Sequence, residues 1–227
     1  MAKDTEIVKK AIKDKCTPEQ IQAWRYFSNP RKDGCLTKYN HVSDKEFDNL
    51  IKQQMAKYGL DTPERAMKKL GIDATDIECF EPIRLEDFIP TMSTAQNLYR
   101  RGEDGIIRTS NYQVTWILCS QDEVYLYQCT FSLIEDDKKD KGEEYFFKDV
   151  TNFTTIEVSD EITCTETEVT GGCKGSEKEV VNKYKLEKTK FRITVPGERL
   201  ECAMIDNPQI QEAIKRLKTL LREKKSQ

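Results

Sequence analysis

The chain has 227 residues, which is long enough for one large domain or two small ones with a substantial core. Its net charge is only −3, but residues 73–205 carry 27 acidic side chains against 16 basic ones, which argues against a nucleic-acid groove or an anionic-membrane surface in that region. No apolar stretch approaches the ~20 residues of a membrane helix, and the N-terminus has no signal-peptide pattern, so we expect a cytoplasmic protein.

The first 72 residues carry the start and stop signals of helices. Thr17–Gln20 and Ser43–Glu46 both have the spacing of a capping box, in which the first and fourth residues satisfy each other's backbone N–H groups. A third helix should begin at Asp61–Glu64, and Gly59 and Gly71 stand where helices should end. The sequence therefore predicts a helical N-terminal region.

Residues 73–98 have little periodicity and contain Pro82 and Pro90. We expect an extended connector here, with an edge strand over Ile83–Phe88.

From Gly105 onwards the pattern changes to that of β-strands. Tyr112–Cys119 and Val124–Leu133 are rich in aromatic and β-branched residues that alternate with period two. The charged run Glu135–Glu144 has no apolar anchor and is predicted to be a solvated hairpin loop. Further strands are predicted at Tyr145–Phe147, Phe153–Val158, Ile162–Val169, Tyr184–Leu186, Phe191–Val195 and Arg199–Met204, with turns at Gly171-Gly172 and Pro196-Gly197.

The last predicted element is an amphipathic helix that begins at Pro208. Its apolar stripe should close the open end of the preceding sheet, because that stripe would otherwise be exposed to water. The predicted fold class is α+β: a helical region (residues 1–72), a connector (73–98), and an antiparallel β-barrel or sandwich closed by the C-terminal helix (99–227).

Several runs of this β-region resemble an uncharacterised bacterial family of unknown function whose β-domain is pleckstrin-homology-like. The runs are Ser110–Trp116, Val124–Gln128, Glu143–Phe153 and Val195–Gly197. The resemblance implies a bacterial protein with a pleckstrin-homology-like β-domain, and it implies no active-site residues. Because such a fold hosts phospholipid, peptide and protein binding alike, it does not fix a function.

The eight cysteines are scattered rather than clustered. Cys119, Cys129 and Cys202 fall inside apolar strand patterns, where a reduced thiol packs as a small apolar side chain. In a chain of this size without a secretion signal, we expect reduced cysteines rather than disulfides.

Catalytic and metal-binding patterns are missing from the sequence. His41 is the only histidine, and neither CxxC nor HxxxH spacing occurs. The acidic pair Asp136-Asp137 lies in the predicted solvated loop, and Gly171–Gly175 lacks the spacing of a phosphate-binding loop. We therefore expect no enzyme activity, no cofactor and no metal site.

The favoured hypothesis is a non-enzymatic binding or scaffold protein whose β-domain recognises a protein partner at a sheet edge or beside the C-terminal helix, with the helical region available for self-association. One alternative is a DNA-associated regulator that uses the basic region 43–80, although nucleic acid is not the expected partner. The other is membrane recruitment through lipid head groups, a less favoured use because acidic residues lie nearby. Its candidate ligand-facing residues are Arg100, Arg101 and Arg108.

Overall fold

A computed structural model describes residues 2–30, 38–77, 80–92, 96–170 and 176–226 of the chain, without the side chains of residues 170, 176 and 177. Five α-helices lie within these ranges: α1 (Glu6–Lys13), α2 (Pro18–Ser28), α3 (Asp44–Lys57), α4 (Glu64–Leu70) and α5 (Pro208–Lys225). A short 3₁₀ helix, Ala74–Ile77, follows α4. Within the described residues, no helix combines the length and the apolar character needed to cross a membrane.

Both predicted capping boxes are present. The Thr17 hydroxyl accepts a hydrogen bond from the Gln20 N–H at 3.3 Å, and the Gln20 side chain accepts one from the Thr17 N–H at 2.8 Å. Ser43 and Glu46 make the same reciprocal pair at the start of α3. Gly71 ends α4 with a φ of 72°, a conformation that a glycine adopts without strain. The local helix signals of the sequence are therefore confirmed.

Nine strands form in the described residues, and all of their pairings are antiparallel. They are β1 (Ile83–Phe88), β2 (Tyr99–Arg101), β3 (Ile107–Thr109), β4 (Asn111–Cys119), β5 (Glu123–Ser132), β6 (Lys138–Phe146), β7 (Asn152–Thr170), β8 (Ser176–Val195) and β9 (Glu198–Met204). The first sheet has the order β1-β4-β5-β6, the second sheet has the order β7-β8-β9, and β2 and β3 form a separate hairpin. The predicted edge strand at Ile83–Phe88 is confirmed as β1.

The prediction of a solvated loop at Glu135–Glu144 is wrong. Residues 138–146 form β6, which also absorbs most of the separate strand predicted at Tyr145–Phe147. β6 is the outermost strand of the first sheet and pairs with β5, for example Gly142 with Tyr127. An outermost strand can carry charged side chains without loss of stability. The missing apolar alternation therefore did not exclude a strand.

The second sheet contains two strands that the sequence pattern divided wrongly. β7 runs without interruption through the two strands predicted at residues 153–158 and 162–169, and β8 does so through those predicted at 184–186 and 191–195. Phe153 and Ile162 are nine residues apart, so they lie on opposite faces of β7 and enter different cores. In the sequence, this change of the buried face produces the same pattern as a break between two strands. The predicted turn at Gly171-Gly172 lies outside the described residues.

Two main cores lie on the two faces of the first sheet. Helices α2, α3 and α4 cover one face around Tyr112, Trp116 and Tyr127. The opposite face packs against the second sheet and α5, whose Ile214, Leu217 and Leu221 are buried as the sequence predicted. The architecture is therefore α+β with antiparallel sheets, but the strands of the described residues form no closed barrel, because each sheet has two outer strands.

The five described cysteines form no disulfide bond. Cys119, Cys129 and Cys202 are buried within strands, as predicted. Cys35, Cys79 and Cys173 lie outside the described residues.

Candidate functional site

A cleft of about 680 Å³ runs along the outer edge of β1, between α3 on one side and β8 and β9 on the other. Buried apolar side chains line it. They are Ile51 and Met55 from α3, Phe88 from β1, Tyr112 from β4 and Met204 from β9. A floor of aromatic and thioether groups offers a large, adaptable surface to an apolar ligand.

The floor follows from two simple periodicities. Ile51 and Met55 are four residues apart and therefore share one face of α3. Phe88 and Glu86 are two residues apart on β1, so they also share a face, while Asp87 between them points to the other side of the sheet. The cleft thus meets both faces of this edge strand.

Two large aliphatic side chains stand exposed at the mouth of the cleft. Ile106 is 53% exposed and Ile205 is 47% exposed. A tight turn with Gly105 at a φ of 81° presents Ile106, and a hydrogen bond of 2.9 Å from the Ile205 N–H to the Glu86 carbonyl holds Ile205 beside β1. Exposed aliphatic side chains that flank an apolar floor are characteristic of a binding surface.

An ion pair between Asp87 and Lys188 joins the first sheet to β8 inside the cleft. Lys188 Nζ lies 2.9 Å from Asp87 Oδ1 and 2.8 Å from Asp87 Oδ2, and both side chains are largely buried. The Phe88 N–H also donates to Asp87 Oδ1 at 2.7 Å. Burial raises the pKa of Asp87, and this effect outweighs the opposing effect of Lys188.

The carboxylate of Glu86 has fewer hydrogen-bond partners than that of its neighbour Asp87. Its Oε2 atom is buried and has no hydrogen-bond partner among the described residues. Arg84 Nε lies 3.2 Å from that atom, close enough to attract it but outside hydrogen-bonding geometry. Burial raises the pKa of Glu86 in spite of Arg84 and Lys52, which both act to lower it. The carboxylate is therefore held in the cleft at a cost to the free protein.

Of the three predicted ligand-facing arginines, Arg108 lines the cleft but is bound within the protein. Its guanidinium donates to Asp48 at 2.7 and 2.8 Å and to Asp104 at 2.9 and 3.0 Å. Its side chain is only 3% exposed. The hydrogen bonds from Arg108 lower the pKa of Asp104 to about 2.

The other two arginines have different neighbours. Arg100 is buried with its guanidinium 5.2 Å from the centre of the Tyr26 ring, beside a second pocket of about 190 Å³. Arg101 is exposed and lies 5.5 Å from the centre of the Tyr184 ring. The structure thus brings only Arg108 to the cleft.

The structure places His41, the only histidine, at an exposed position that also borders the second pocket. Among the residues that the structure describes, no three His, Cys, Asp or Glu side chains come close enough together to hold a metal ion.

Sequence reasoning missed the residues that define the cleft. A signal existed in β1, where Asp87 occupies the position at which the alternation set by Ile83 and Leu85 predicts an apolar side chain. No local signal marks Lys188, which is 101 residues away from its partner Asp87 in the chain. Ile106 and Ile205 belong to short connections in which an aliphatic residue has no diagnostic spacing.

No protein-family model, curated protein or solved structure shows significant similarity to this chain.

Proposed function

We propose that the protein is a non-enzymatic binding or scaffold protein whose cleft takes up a segment of a partner protein that carries a large apolar side chain. The exposure of Ile106 and Ile205 at the mouth of the apolar cleft is the observation that carries this proposal. Covering an isoleucine completely is worth about 1.5–3 kcal/mol, so a partner that buries both side chains gains substantial affinity before entropy is subtracted.

The neighbourhood of the basic residues favours a protein partner over the two alternatives. Arg108 and Arg100 already have internal partners and are buried, so they are poorly placed to bind a lipid head group. Arg65 and Lys69 of α4, two of the basic residues in the region 43–80, lie 3.0 and 3.5 Å from Asp140 of β6. Cations that are neutralised internally contribute little to phosphate binding.

We also propose that the β-region is an open variant of the pleckstrin-homology-like arrangement. Two antiparallel sheets that face each other across one core, with an amphipathic C-terminal helix packed into that core, support this proposal. The cleft ends at Ile205 and Asp206, immediately before that helix.

The proposal can be tested with an array of synthetic 12-residue peptides that each present Leu, Ile, Phe, Trp or Ala at one fixed position. Full-length labelled protein should bind peptides with a large apolar residue in preference to the alanine series. The double variant Ile106→Lys/Ile205→Lys should lose this binding at least tenfold, because two charges then stand at the mouth of the cleft.

The matched control is Ile7→Lys/Ile12→Lys. These isoleucines are similarly exposed, at 48% and 44%, but lie on α1 away from the cleft. The control should bind as the wild type does. Equal binding by the wild type and the cleft variant, or no binding by the wild type, would contradict the proposed function.

A further inference from the structure

We propose that the bound segment is extended and carries a lysine or arginine within two positions of its apolar anchor, and that Glu86 receives this cation. The inference rests on the proposed function of the cleft and specifies the chemistry of its ligand.

The geometry of β1 sets the spacing. Glu86 and Phe88 lie on the same face of the strand, two residues apart, which corresponds to about 7 Å. A side chain that packs on Phe88 therefore places the neighbouring positions of an extended segment within reach of the Glu86 carboxylate. Lysine and arginine also have apolar stems, which can lie along the floor while the charged group reaches the acid.

The charges of the cleft favour a cation over an anion. The carboxylates that line it outnumber the basic groups by six to four. Two of the four cations are already bound within the protein, Lys188 to Asp87 and Arg108 to Asp48. A third, Arg84, donates to the Asp61 carbonyl at 3.2 Å and lies 3.2 Å from Glu86 Oε2 without a hydrogen bond to it. The lining side chains together carry a net charge of −2, so the cleft repels an acidic residue of a partner and attracts a basic one.

Glu86 is the carboxylate with the most to gain. Asp87 next to it has three hydrogen bonds, whereas Glu86 Oε2 has none within the described residues. A buried acceptor without a donor is unusual in a folded protein, and the Glu86 side chain as a whole remains 25% exposed, so its carboxylate can turn towards a donor that a ligand brings. A charged N–H donor from the ligand would supply the missing hydrogen bond in its strongest form.

The test compares matched peptides that have the best apolar anchor of the array and Lys, Arg, Gln or Glu at the flanking positions. Fluorescence anisotropy with the full chain measures the Kd of each peptide. The wild type should prefer the Lys or Arg peptide to the Gln peptide about tenfold, which corresponds to one charge-assisted hydrogen bond. Glu86→Gln should bind the Gln peptide as the wild type does but show a preference of less than about twofold.

Glu187→Gln is the control variant, because Glu187 also lines the cleft but is exposed and paired with Lys185 at 2.6 Å. It should keep the preference. A wild type without preference for a cation, or a preference that survives in Glu86→Gln, would overturn the inference and leave the proposed function standing. Absence of peptide binding by the wild type would overturn both.

Discussion

Arg108 of β3 and Asp48 of α3 are joined by two parallel hydrogen bonds, Nε to Oδ1 at 2.7 Å and Nη2 to Oδ2 at 2.8 Å. They are 60 residues apart in the chain, so this pair fastens the N-terminal helices to the β2–β3 hairpin. Asp44 contributes to the same junction by accepting hydrogen bonds from the Tyr26 hydroxyl at 2.8 Å and from the Glu103 N–H at 2.7 Å. The wall of the cleft depends on this junction, because Asp48 and Arg108 both line it.

Replacing Arg108 should loosen that wall. We expect Arg108→Ala to lower the free energy of unfolding by about 2–3 kcal/mol, since hydrogen bonds to charged groups are worth about 1.5–3 kcal/mol and the partners Asp48 and Asp104 remain partly solvated. Arg108→Lys should recover less than half of the loss, because an ammonium group cannot make the two-pronged contact. Urea denaturation followed by circular dichroism measures both, and an Arg108→Ala variant as stable as the wild type would contradict the structure.

The buried ion pair predicts a larger effect. Asp87→Asn leaves the Lys188 ammonium group in a largely buried site without its counter-charge. Removing one member of such a pair costs about 3–5 kcal/mol, whereas replacing both members by uncharged groups costs far less. We therefore expect the single variant to be strongly destabilised and the double variant Asp87→Asn/Lys188→Met to recover most of the stability. Equal stability of the two variants in urea would show that the pair is not coupled.

Replacing Glu86, the acid next to Asp87, should have the opposite effect and raise the free energy of unfolding. Burial raises the pKa of Glu86 above the ordinary value of 4.5, so the folded state binds a proton more readily than the unfolded state. Between these two pKa values the free energy of unfolding falls as the pH rises. Glu86→Gln should therefore be more stable than the wild type at pH 7, by about 1 kcal/mol for a buried acceptor without a donor. The difference should shrink as the pH is lowered towards 4.5, and a difference independent of pH would refute this account.

The sequence predicted those parts of the fold that depend on neighbours in the chain. The two capping boxes and the alternating strands at residues 112–119 and 124–133 are local patterns, and they form as expected. β6 was missed because its pairing with β5, rather than its own composition, makes it a strand. The sequence pattern divided β7 and β8 because Phe153 is buried in the core between the two sheets, whereas Ile162 is buried in a separate small cluster on the opposite face of β7.

The candidate site was less predictable, because its contacts join residues that are far apart in the chain. Asp87 and Lys188 approach each other only because the second sheet folds back onto β1, and no spacing in the chain encodes that contact. Arg108 was identified from its charge as a ligand-facing residue, but the carboxylates that bind it come from α3 and from the turn before β3. A charge in the sequence does not reveal whether its partner lies inside the protein or outside it.

The thiols give a test of both the fold and the expected compartment. Burial raises the pKa of Cys129 and Cys202 to about 12 and that of Cys164 to about 11. Only the thiolate is alkylated, so at pH 8 these residues hold well under 1% of the reactive form and are shielded as well. Iodoacetamide on the native protein should leave them unmodified, while Cys16, which is only partly buried, should react first among the described cysteines.

Mass spectrometry of the digested protein measures the modification at each residue, and the same treatment in guanidinium chloride should label every cysteine. Protein prepared without reductant should show the same complete labelling after unfolding, because the cytoplasmic compartment expected from the sequence would keep the thiols reduced. Disulfide-linked peptides in that sample would contradict the expected compartment. Rapid native labelling of Cys202 would contradict its position in the core between the second sheet and α5, where its exposure is 0%.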